Sequence, residues 1–191
     1  MNAYEIFCRQ IRARSDENRK AVSLLYNERL LSQIISVLRQ ELDSMIRVIY
    51  LLHQDTDYQS ELLQASIEGK QWKTKDGKKK ITDREMVELA DSLHGWTKSV
   101  YKFGCAFIHL SSFHDYKSRD PMEMISSEER DSVLEHMRYY HGGPITDSPT
   151  ITDIAPYLPR VFHKIADNLE CYVKDLESNQ GFGTGDLGSL D

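Results

Sequence analysis

The chain has 191 residues, 40% hydrophobic and 28% charged, with only 10 Gly and 5 Pro. This fits one globular domain and excludes a collagen-like or Pro/Gly-rich disordered chain. The longest apolar run, Val48 to Leu52, falls far short of the ~18 residues of a membrane span. The formal net charge is −6, but residues 70–80 hold six Lys against one Asp, so a finger of +5 projects from a body of −11.

Residues 3–14 place Tyr4, Phe7, Cys8 and Ile11 at helical spacing. Residues 16–54 contain no Gly or Pro and keep apolar residues every three or four positions. That length exceeds the ~25 residues of an ordinary helix, so it reads as one very long helix or as two with a break near Arg39. A shorter helix over 57–68 ends at Gly69. Residues 72–81 read as a small hairpin or a mobile loop, because Asp76-Gly77 tolerates the positive φ of a tight turn. Thr82 to Glu85 is a capping box opening a helix to about His94, with Gly95 ending it. An apolar helix, Trp96 to Phe113, follows, and we expect it to be the central buried one. Ser126 to Glu129 is a second capping box, before a helix over 127–141 that His141-Gly142-Gly143-Pro144 stops. The last helix begins near Thr152 to Tyr157 and runs to about Leu176.

No segment alternates as a strand does. The chain is therefore expected to be all-α: a single-domain antiparallel bundle of about six or seven helices over 1–177, with a disordered Gly-rich tail over 178–191. Cys8, Cys105 and Cys171 are too scattered for a disulfide framework or a zinc knuckle. They suggest a reducing, cytoplasmic setting, with Cys105 and Cys171 as small core residues. Met1 to Glu5 shows no signal-peptide pattern.

Few residues stand out as carriers of chemistry. His109 and His114 close the apolar helix, and buried imidazoles need partners or do acid–base work. Arg39, Asp43 and Arg47 step by four along one helix face. They form either a solvated stripe or an inward one meeting His109 or His114. A metal site is not expected: His109/His114 and His136/His141 are each five apart, about 140° around a helix, and no HExxH occurs. The finger lysines Lys73, Lys75, Lys78, Lys79 and Lys80 suit phosphate contacts, with Trp72 beside them as a stacking surface.

Helical periodicity throughout, a long amphipathic helix pair, an apolar helix ending in Ser111-Ser112-Phe113-His114 and arginine–histidine spacings resemble HEPN-type domains over roughly residues 20–177. Such domains occur in prokaryotic toxin, abortive-infection and defence proteins. Their active members are dimeric, metal-independent ribonucleases with an Arg, a polar residue and a His four to six residues on. Arg130-Asp131…His136 fits that motif, and Arg47…His53 has its spacing with Val48 in the second position. The resemblance implies His136, or His109/His114, as general base on a ribose 2′-hydroxyl. Arg130 or Arg47 would stabilise the pentacoordinate phosphate.

The reading is thus a homodimeric helical protein binding RNA or a nucleotide, without a cofactor, and cleaving RNA if the motif is active. The alternatives are a non-catalytic homodimeric interaction module and a small-ligand enzyme built on His109 and His114.

Overall fold

The computed structural model describes residues 2–178 as one all-α domain without strands. Seven helices have twelve residues or more: α1 (Ala3–Asn27), α2 (Leu31–Leu52), α3 (Thr56–Ile67), α4 (Asp83–His94), α5 (Thr97–Ile108), α7 (Ser127–His141) and α9 (Leu158–Glu177). Two single-turn helices, α6 (Pro121–Met124) and α8 (Ile151–Ile154), lie in the connections. The Gly-rich tail from residue 179 lies outside the described residues.

The break in the first 54 residues is at Glu28 to Leu30, not near Arg39, and α1 runs unbroken through residues 14–16. Arg29 takes a left-handed φ of 56°. The Leu30 N–H reaches back to the Leu25 carbonyl at 2.9 Å and the Arg29 N–H to that of Tyr26 at 3.1 Å. This is a Schellman closure, with arginine where glycine is usual. Arg39 sits inside α2, nearly buried.

The central helix is α2, not α5. Thirteen of the 22 residues of α2 are buried, against Thr97, Gly104 and Phe107 alone in α5. α2 contacts α1, α3, α4, α5 and α9. α1 runs antiparallel to α2, since Ser15 and Asn18 donate to the buried Glu41 carboxylate and Arg14 donates to Ser44. α9 runs antiparallel to α1, tied by Arg12 to Glu170 and Glu177 and by Arg19 to Asp167.

α5 also ends earlier than its apolar pattern suggests. The Ser111 hydroxyl takes the Ala106 carbonyl at 2.6 Å and Ser36 takes that of Phe107 at 3.2 Å. These bonds satisfy carbonyls of the last turn, and the chain leaves extended at His109. Leu110, inside the apolar helix expected over Trp96 to Phe113, is 94% exposed. Cys171 is exposed rather than in the core. No described helix is long and apolar enough to cross a membrane.

Candidate functional site

The Arg39–Asp43–Arg47 stripe faces inward, but it meets Asp83 and Tyr101 rather than a histidine. Arg47 donates to Asp43 and to Asp83, each at 3.1 Å. The Arg39 guanidinium lies 3.5 Å from the Tyr101 ring centroid, a close cation–π stack. Burial pushes the Tyr101 phenol up to about 12, so its hydroxyl stays protonated and donates to Asp83 at 3.3 Å. Two arginines and two aspartates balance one another here. The cluster fixes the start of α4 against α2.

The segment between α3 and α4 is a hairpin closed by one antiparallel bridge, Lys73 to Lys80. Gly77 takes φ 72° at its tip. The hairpin is held at three points. Trp72 is buried, with its indole N–H on Ser66 at 2.8 Å and its ring against Tyr50. The Tyr58 hydroxyl donates to the Lys73 carbonyl. Lys75 pairs with Asp55 at 2.8 Å. Trp72 is therefore an anchor and is not free to stack on a base. Lys73, Lys75, Lys78, Lys79 and Lys80 are all exposed.

Anchoring the hairpin creates a groove of about 620 Å³ between it, α1 and the start of α4. Arg14, Arg47, Lys70 and Lys80 line it, against one carboxylate, Asp83. Arg14 and Lys80 have no carboxylate partner among the described residues. A second groove of about 540 Å³, with Lys73 and Lys75 on its wall, lies on the other side of the hairpin. The two share Lys70 and Gln71. Six cations thus follow one path; Arg47 pairs with Asp43 and Asp83, Lys70 with Glu68 and Lys75 with Asp55, whereas Arg14, Lys73 and Lys80 have no carboxylate partner among the described residues.

Arg47 does not meet His109 or His114. Across the α2–α5 contact Ser36 faces Phe107 and Arg39 faces Gly104. Arg47 therefore lies two turns beyond Arg39, away from the end of α5 that carries the histidines. His109 is exposed. His114 accepts the Ser111 N–H on Nδ1 at 3.3 Å and packs against Phe107.

Arg130 and His136 share α7, and no bond joins them. The His136 Nδ1–H donates to the Ser132 carbonyl at 2.6 Å, and its ring lines an apolar pocket. Arg130 is half-buried, with Nε unpartnered. His53 donates from Nδ1 to the Ile49 carbonyl, closing α2. No group of His, Cys, Asp and Glu among the described residues is arranged to hold a metal ion.

Three groove residues escaped the sequence reading. Arg14 was placed at a helix end, although it lies in mid-helix and Ser44 steers it toward the groove. Gln71 and Asp83 carried no signal beyond their neighbours. No protein-family model matches the chain, and no curated protein or solved structure matches it significantly. What stands of the family resemblance is an all-helical protein.

Proposed function

We propose that the protein binds single-stranded RNA along the basic path beside its hairpin. The observation that carries this reading is the paired groove itself: Arg14, Arg47, Lys80, Lys70, Lys73 and Lys75 in one run, on a chain whose net charge is −6. Local excess of this sign attracts phosphates despite an acidic remainder. A path extending over two adjoining grooves suits a strand better than one nucleotide. The resemblance to HEPN-type domains, whose active members act on RNA, points to the same ligand. RNA is bound rather than cut in this reading, because no histidine lines either groove.

The test is fluorescence anisotropy with a labelled single-stranded RNA of about 12 nucleotides, within the usual site size for such proteins. Reversing Arg14→Glu together with Lys80→Glu weakens binding about tenfold or more. Lys117→Glu, at an exposed position in the connection between α5 and α6, leaves it unchanged. Equal loss from both variants, or no binding by the unaltered protein, overturns the proposal.

A second reading, a homodimeric interaction module, is favoured by Tyr139 and Ile145. They are 81% and 91% exposed at one corner, where Arg138 ties residues 144 and 146 to α7. Light scattering decides it: a dimer that Tyr139→Ser with Ile145→Ser dissociates supports the module, and a monomer removes it.

A further inference from the structure

Far from the basic path, α2, α5, α7 and α9 line a pocket of about 60 Å³. Its walls are apolar, among them Ile35, Leu38, Val100, Phe103, Met137 and Ile165. A water-sized occupant needs ~10–15 Å³ on this measure, so there is room for about four to six heavy atoms. Apolar walls of this kind favour an apolar occupant over water.

The rim has a different character. Lys164, His136 and His141 line it, and no carboxylate does. The Lys164 ammonium lies 4.0 Å from the Tyr140 ring centroid and has no ion-pair partner among the described residues. Arg160 stands beside it, donating to the His141 carbonyl at 3.3 Å. The His141 imidazole is held below its ordinary value by burial first, then by Lys164 and Arg160, so it is neutral and offers an N–H near neutral pH. Positive charge without a counter-ion thus converges at the mouth of an apolar pocket.

We infer that this pocket binds a small organic anion, a carboxylate with an apolar body of about four to six carbons. The carbon chain fills the space between Leu38, Val100 and Ile165, and the carboxylate sits at Lys164 with His141 as a second donor. The site shares no lining residue with the basic grooves and stands independently of RNA binding.

Hexanoate is the probe, with acetate, hexan-1-ol and hexylamine as comparisons, read by calorimetry and by thermal shift. Hexanoate should bind and raise the melting temperature. Acetate lacks the apolar body, and hexylamine has the wrong charge, so neither should. Lys164→Met should weaken hexanoate about tenfold, the usual order for loss of a charge-assisted contact, and leave hexan-1-ol unaffected. Val100→Phe, checked for folding by circular dichroism, should abolish hexanoate binding. Hexanoate binding no better than acetate, or unchanged affinity in Lys164→Met, overturns the inference. Both readouts hold even where Val100→Phe does not fold.

Discussion

Arg29 ends the first helix in a conformation that L side chains adopt at a cost of roughly 1–2 kcal/mol. Nothing in its side chain offsets this, since no ion pair of Arg29 is formed among the described residues. Arg29→Gly removes the strain and regains only part of it, because glycine loses more entropy on folding. Urea denaturation should show a gain of about 0.5–1 kcal/mol; a loss would mean that the side chain contributes a contact not seen here. The same residue explains what the sequence hid. α3 ends in the same closure, with Lys70 to Ala65 at 2.8 Å and Gly69 to Ser66 at 3.1 Å. There the left-handed position is Gly69, and that end was legible. At Arg29 the geometry is equal and the residue type carries no mark. Ser15 misleads in a similar way. A polar residue between two apolar patterns reads as a gap, whereas here it satisfies a buried carboxylate, Glu41.

Between elements, small residues and paired polar groups set the spacing. Gly104 lets α5 approach α2 closely: a Cβ there would stand 2.9 Å from the Cβ of Arg39. That atom is next to the backbone and cannot swing away, so Gly104→Ala forces the two helices apart. The expected cost is about 1–3 kcal/mol in denaturant titration; an unchanged midpoint would show the contact to be looser. His94 joins α4 to α9 through a 2.8 Å bond with the Tyr172 hydroxyl. Burial pushes the Tyr172 phenol up to about 12, so it is the donor and His94 Nε2 accepts. Burial first, and Lys164 second, hold His94 below its ordinary value of 6.5. A histidine with a depressed folded value is protonated more readily when unfolded, so stability is lost as pH falls below about 6.5. His141 adds to the same window. Melting temperature should therefore drop between pH 7.5 and 5.0, and His94→Gln with His141→Gln should flatten the slope. A flat profile in the unaltered protein would contradict this. The capping boxes that mark these elements were readable, and Thr82 with Glu85 forms one in full. At Ser126 only half forms, because Glu129 pairs with Lys102 instead. A local motif cannot announce a partner 27 residues away.

At the scale of the whole molecule, periodicity was enough to give an all-helical bundle, and it misplaced the centre. α5 is apolar without being central, because its last carbonyls are taken by Ser36 and Ser111 and the chain turns outward. α2 is central although it carries Arg39, Asp43 and Arg47, because Asp83 arrives from α4 to pair with both arginines and Tyr101 from α5 stacks on Arg39. The basic finger was visible as a charge run. Its meaning as the wall of a groove was not, since the groove needs Trp72 buried and Arg14 brought across from α1. Binding of RNA along that wall is the central claim, and counterion release tests it most directly. Each phosphate neutralised on a single strand contributes about −0.7 to the slope of log affinity against log salt concentration. The measurement is that slope for the unaltered protein and for Arg14→Glu with Lys80→Glu. The account predicts a slope of about −3 to −4, reduced by at least about 1.4 in the variant; a slope near zero, or one identical in both proteins, would contradict it.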